Sequence, residues 1–206
     1  MNLEIISYSS ITSHSASSNG ETITENLTDA PFAEFSKSIY KKLEVPYPKF
    51  FKMDELSKLA FLAGEIVLKE IDTANWNGEK VAIILGNKNS SLSSDQKHYE
   101  SFKDRDNYFP SPAIFVYTLP NIMMGELCIR HKIKGENSVF IQEKFDAQFL
   151  YDYVQHLFEA EAYEYCITGW ADYLPNNYEA HLFLIRKSSG EDKHPSFSEN
   201  FKQLIR

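Results

Sequence analysis

Two kinds of apolar run alternate along the chain, and the contrast between them sets the expected architecture. Val81-Ala82-Ile83-Ile84-Leu85-Gly86 has no polar interruption, which is the composition of a strand buried on both faces. Over residues 54–70, Leu56, Leu59, Ala60, Ala63, Ile66, Val67 and Leu68 recur at near-helical spacing, and Asp54 is placed to cap the first turn. Residues 3–11 read as a first strand, and the Ser/Thr/Asn/Gly-rich residues 12–28, which have no period, as a polar loop. Ser93 with Gln96 forms a capping-box pattern for a helix over 94–102. Residues 119–134 predict a helix with Pro120 in its first turn and Gly135 as its stop, followed by a strand at 138–142.

The widest apolar sector lies over 145–162, where Phe145, Phe149, Leu150, Tyr153, Val154, Leu157, Phe158 and Ala162 share a helix face. Strands at 164–171 and 179–185 flank Pro175-Asn176-Asn177 in the manner of a hairpin. From 187 onward the tail is polar, with a short helix over 198–205. Alternation of this kind predicts an α/β fold with a mainly parallel mixed sheet and helices on both faces. Residues 1–206 read as a single domain with no linker and no internal repeat.

Composition narrows the function. At 43% hydrophobic and 14% aromatic the chain is that of a packed globular protein rather than a disordered one. Its net charge of −8 argues against a nucleic-acid phosphate track or an anionic membrane face. Lys41-Lys42 and Arg130-His131-Lys132 read as solvated helix sides. The N-terminus has neither the basic start nor the apolar stretch of a signal peptide, and no apolar run reaches the length of about 18 residues that spans a bilayer, so a cytoplasmic protein is expected. Cys128 and Cys166 sit in apolar segments and are expected as reduced, buried thiols. The scattered histidines and the lack of a CxxC pair give no metal site, and no cofactor is expected.

Thr118-Leu119-Pro120-Asn121, followed by Gly135 and then by Ser138-Val139-Phe140-Ile141, resembles the segment that leads to the nucleophilic cysteine in β-ketoacyl synthases of the thiolase superfamily. Three further segments agree in order: Met53-Asp54 opening a helix, Val81 to Gly86 as a core strand, and Cys166-Ile167-Thr168-Gly169-Trp170-Ala171-Asp172 as the glycine-bearing strand and turn. The resemblance implies a single thiolase-like half, βαβαβαββ, of a family whose members carry two such halves. It implies no chemistry of the family's kind, because residues 142–147, where the acyl-accepting residue would fall, hold no Cys, Ser or Thr and the histidines and lysine of the second half have no counterpart. Neither His181 nor His194 lies in a matching context. Condensation needs a thiolate to hold the acyl group and imidazoles to stabilise the enolate.

Direct counting from Gly135 puts Lys144 at the nucleophile position, whereas a two-residue deletion puts Gln142 there, the residue that chain-length factors of type II polyketide synthases carry. Both remain open at this point, beside the simpler reading of a strand end and a turn. Met123, Met124 and Phe145 are the acyl-pocket candidates, with core filling the simpler role for the methionine pair. By the same resemblance, Ser138, Val139, Phe140 and Ile141 form the edge through which ketosynthases dimerise, and the sector carrying Phe149 and Tyr153 is the helix face that a lone half leaves uncovered.

The expected function is therefore a catalytically inactive, chain-length-factor-like subunit. It would pair with a full-length β-ketoacyl synthase and shape its acyl tunnel in lipid, polyketide or aryl-polyene-type pigment synthesis, meeting acyl carrier protein only indirectly. The competing expectations are a stand-alone acyl-thioester acyltransferase or decarboxylase, and a homodimeric acyl-binding scaffold.

Overall fold

The computed structural model describes residues 2–69, 71–106, 108–160 and 163–188, with Phe197 and Phe201. The helix expected over 198–205 falls, apart from Phe201, outside the described residues, as does Ala162. The strands are β1 (Leu3–Ile11), β2 (Ser15–Ser18), β3 (Glu21–Glu25), β4 (Val81–Asn87), β5 (Asn137–Ile141), β6 (Tyr165–Leu174) and β7 (Asn177–Lys187). The helices are α1 (Phe32–Leu43), α2 (Glu55–Leu68), α3 (Leu92–Glu100), the single turn α4 (Pro112–Phe115), α5 (Ile122–His131) and α6 (Ala147–Ala160).

All seven strands join one mixed sheet in the order β3-β2-β1-β7-β6-β4-β5. Parallel pairing is narrower than the sequence led us to expect, being confined to β5–β4–β6. The pairings β6–β7, β7–β1, β1–β2 and β2–β3 are antiparallel. Parallel neighbours need a crossover helix, which α5 and α6 supply, whereas short turns can only fold a strand back on itself. The expected polar loop at 12–28 is one such fold-back. Asn19 and Gly20, at φ 51° and 85°, turn β2 into β3 with Ser18 opposite Glu21, the positive-φ pair that two-residue hairpins require. At the β6–β7 turn, Pro175 is followed by Asn176 at φ 66°, with Leu174 opposite Asn177.

Helix α2 is apolar nearly all round, and every residue in it except Glu55 and Lys58 is buried. Asp54 caps it by accepting from Ser57 N at 2.9 Å. Two serines of β1 bind its backbone, Ser7 Oγ donating to Val67 O at 2.6 Å and Ser9 Oγ to Ala63 O at 3.0 Å. On the far side it meets α5, so closely that a Cβ on Gly64 would lie 2.4 Å from Leu127 Cδ1. With α1 these helices fill one face of the sheet. The opposite face is covered by α6, whose Leu150, Val154, Leu157 and Phe158 are buried with Phe183, Phe197 and Phe201.

Two expected helix boundaries move. α5 stops at Lys132, which takes a left-handed φ of 55°, rather than at Gly135. Gly135 is needed instead for contact, since a Cβ there would lie 2.4 Å from Val81 O. α3 begins after Ser91 and not at a Ser93 cap, and Ser91 Oγ donates to Thr118 O at 2.7 Å.

Candidate functional site

In open α/β sheets, ligands gather where parallel strands end at their carboxyl edge. Here β4 and β5 end beside a cavity of about 290 Å³, along the stretch of β6 that runs on past them. The Gln142 N–H donates to Asn87 O at 2.8 Å, which prolongs the β5 ladder by one residue, and the Gln142 side chain lies against Gly86, its Oε1 3.0 Å from where a Cβ would stand. That oxygen is buried with no donor. Lys144 is exposed on the cavity rim opposite Lys88. The structure therefore puts Gln142 at the end of the strand and Lys144 beside the opening.

Trp170 lines the cavity on the side of the sheet that faces α6, while the Tyr178 ring lies in the core on the other side with Phe32 and Tyr173. Phe145 meets the Trp170 ring edge-on at 5.7 Å, and Tyr178 stacks on Tyr173 at 5.9 Å. Trp170 is 3% and Tyr178 7% exposed, and neither the indole Nε1 nor the phenol oxygen makes a hydrogen bond among the described residues. Asp172, also buried, accepts from Lys88 N at 3.1 Å, Asn89 N at 2.8 Å and Asn89 Nδ2 at 2.5 Å, so its oxygens are taken. His181, 3.7 Å away, holds the Glu179 carboxyl below the ordinary carboxylate range against the opposing effect of burial. The Trp170 N–H adds to that effect without reaching hydrogen-bond geometry.

The other predicted residues are dispersed. Met123 and Met124 are buried in the layer shared by α2 and α5, while Phe145 packs on the opposite face of the sheet. The three acyl-pocket candidates thus do not converge, because β5 and β4 stand between them. Burial pushes the Cys128 thiol up to about 11 and raises that of fully buried Cys166 further. Neither thiol lines the cavity.

Among the described residues β5 is an edge strand that pairs with β4 alone, and Ile141 is exposed on it. Ser138, Val139 and Phe140 are half-buried. Phe149 and Tyr153 turn inward onto Phe140, with ring centroids at 4.8 and 4.9 Å, and the Tyr153 hydroxyl donates to Glu136 Oε1 at 2.5 Å. The uncovered helix face expected on α6 is therefore closed by the chain's own sheet and by Phe197 and Phe201. Apolar surface is left open elsewhere, around α3 and α4. Tyr99, Tyr108, Phe115, Val116 and Leu119 are exposed there, and Phe109 reaches 75%. Phe102 joins Tyr99 to Tyr108 by ring contacts, and His98 joins Phe102 to Phe115.

A second polar cluster was not legible in the sequence. His131 Nε2 lies 2.6 Å from Glu65 Oε1, Arg130 Nε 2.7 Å from the same oxygen, and Thr73 Oγ1 3.0 Å from His131 Nδ1. The order hydroxyl, imidazole, carboxylate is that of a nucleophilic triad, but Arg130 shares the carboxylate and the adjacent Ala74 N–H is spent on Asp72 Oδ1. The cluster locks α2 to α5. Among the described residues no His/Cys/Asp/Glu group is arranged to hold a metal, and no single helix is long and apolar enough to cross a membrane.

No family model and no curated protein matches the chain. Solved structures do. The ishigamide ketosynthase/chain length factor matches with a TM-score of 0.66 at 15% identity, over 95% of this chain and 64% of that one. A type II polyketide synthase complex, AntDE:AntF, described as an acyl-carrier protein with its ketosynthase bound to the hexaketide, matches at 0.61 and 13% identity, over 90% and 62%. The ketosynthase ApeO in complex with its chain length factor ApeC from Xenorhabdus doucetiae matches at 0.54 and 14%, over 92% and 81%. The chain has the thiolase-like α/β fold of ketosynthase and chain-length-factor structures, and it spans less than two thirds of the length of the first two.

Proposed function

We propose that this chain is a catalytically silent, chain-length-factor-like subunit that pairs with a full-length β-ketoacyl synthase and helps to shape its acyl tunnel, in the cytoplasm, in lipid, polyketide or aryl-polyene-type pigment synthesis. The observation that carries the reading is what stands at the end of β5. Inside a fold matched over nearly the whole chain, a half-buried carboxamide with an enclosed oxygen and an exposed ammonium stand at the two positions that the resemblance offers for the nucleophile, and burial raises both thiols. A thiol so withdrawn from its thiolate form is inert towards thioesters.

Pairing is supported by two surfaces. β5 offers an unpaired strand edge, and the aromatic ground around Phe109 and Phe115 is of a kind that monomers rarely leave open. Co-expression with a full-length ketosynthase of the same organism tests the reading. The two chains should co-elute in equal amounts, and Val139→Pro together with Phe109→Glu should separate them without unfolding either. Elution of the wild-type chain alone sinks the proposal, a homodimer of matching mass transfers support to the scaffold reading, and an acyl adduct detected by intact mass transfers it to the stand-alone enzyme.

A further inference from the structure

We infer that the cavity between residues 73–74 and the last turn of α5 binds a phosphate group, with Arg130, Lys132 and Thr73 as its donors and His131 taking up a proton as the dianion enters. The cavity, of about 310 Å³, is lined by Thr73, Ala74, Arg130, His131 and Lys132, so no carboxylate faces it in a chain of net charge −8. Arg130 and His131 are more than the solvated side of a helix, since only 20% and 10% of their side-chain surface is exposed. Arg130 is held by Nε on Glu65 Oε1 and by the Tyr47 ring, whose centroid is 5.3 Å from its Cζ. Its two terminal nitrogens make no hydrogen bond among the described residues, which leaves free the fork that suits a phosphate. The carbonyl end of α5 is covered: Cys128 O accepts from Lys132 N and Ile133 N, and His131 O from Trp76 Nε1 at 2.8 Å.

The proton follows from the hydrogen bonds. Glu65 Oε1 already accepts from Arg130 and lies 2.6 Å from His131 Nε2, so that nitrogen carries the ring hydrogen. Nδ1 is then bare in the neutral ring, and the Thr73 hydroxyl, 3.0 Å away, is spent donating to it. A proton on Nδ1 reverses that bond, frees the hydroxyl for the anion and adds a positive charge beside it. Around the ring stand Glu65 and Lys69 of α2, Glu44 after α1, Asp72 beside Thr73, and Arg130 and Lys132 at the end of α5. Tyr47, which burial pushes up to about 12, stays neutral. Three cations thus balance three carboxylates until the imidazolium forms, and a dianion draws that proton in. The site lies where α5 turns into β5, at the other end of that strand from Gln142, so the inference does not rest on the pairing proposed above.

Sulfate is the probe, because it stays doubly charged across the range in which histidine titrates. The full-length protein, labelled with nitrogen-15 at the histidine rings, is titrated with sodium sulfate through the millimolar range at pH 6, 7 and 8, at ionic strength held constant with sodium chloride. His131→Gln assigns the signals among the six histidines. Sulfate should move the His131 Nδ1 resonance from that of a bare ring nitrogen to that of a protonated one, to saturation, and its affinity should fall as pH rises. Lys132→Asn, which tolerates the left-handed φ of 55° there, should weaken sulfate about threefold or more. Thr73→Val should weaken it about threefold to tenfold, the worth of one hydrogen bond, and Thr73→Ser should restore it. Competition by inorganic phosphate alone assigns the free ion, and competition by phenyl phosphate as well assigns an ester. Competition by neither overturns the inference. So does an unmoved His131 resonance, an equal response to acetate, an affinity independent of pH, or undiminished binding by the Lys132→Asn and Thr73→Val proteins.

Discussion

Gly86 is the position at which the cavity wall and the strand end depend on a missing atom, and Gly86→Ala is the perturbation that measures it. A Cβ there would meet Trp170 Cε3 at 2.8 Å and Gln142 Oε1 at 3.0 Å. Neither neighbour can retreat freely, because the buried Trp170 ring packs edge-on against Phe145 and the Gln142 oxygen is enclosed. Overpacking of this sort costs about 1–3 kcal/mol. The lower entropy of the unfolded alanine chain returns about 0.4–1 kcal/mol. The net expectation is a loss of about 0–2.6 kcal/mol, read as a fall in the urea midpoint at unchanged slope.

Trp170→Phe alone removes three ring atoms and should cost about 2 kcal/mol at roughly 0.8 kcal/mol per buried carbon. In the double variant the smaller ring leaves room for the new methyl, so the two losses should fall short of their sum by about 1 kcal/mol or more. Pairs that do not touch add to within about 0.3–0.5 kcal/mol. Additivity within that limit would show that the indole does not press on Gly86, and the description of the cavity wall would be wrong.

The two cysteines should be slow towards Ellman's reagent at pH 8. With Cys128 pushed up to about 11 by burial, about one thiol in a thousand is ionised there, and Cys166 should react only on unfolding; rapid modification of either in the native protein would contradict their placement. Acid should weaken the fold through Glu55. Burial opposes its ionisation, but the Lys97 ammonium at 2.5 Å prevails and holds the carboxyl below its ordinary 4.5. A carboxyl lowered in the folded state stabilises above its unfolded value and loses that contribution as pH falls through the folded one. Glu55→Gln should therefore be less stable than wild type at pH 7 by under about 1 kcal/mol, the pair being part-exposed, and the difference should close below pH 4.5 in urea titrations; a gap that widens in acid would refute the pairing.

What the sequence alone determined were the elements whose signal is local and strong. Val81 to Leu85 reads as a doubly buried strand and is one. Asp54 ahead of the apolar period of α2, and Pro175-Asn176 between two β-rich runs, carry their own capping and turn chemistry. The hairpin of β2 and β3 reads as a loop, although Asn19-Gly20 carries its turn signal. Its polarity spoke for a loop, because a sheet extension with little apolar burial has no hydrophobic period to announce it. The order of thiolase-like segments gave the fold, since that order sets which strands need crossovers.

Tertiary structure decided what depends on elements distant in sequence. Whether the broad apolar face of α6 is a surface or a core follows from Phe183, Phe197 and Phe201 arriving against it. The separation of Met123 and Met124 from Phe145 follows from the sheet passing between them. Glu65, His131 and Thr73 meet only because α2 and α5 pack closely at Gly64. The cavity is a further case: Trp170 and Glu179 come from paired strands, while Glu143 and Lys144 follow the end of another. A residue's period along the chain reports which face it takes. It does not report what the rest of the chain brings to that face, and both burial and chemistry are set by the latter.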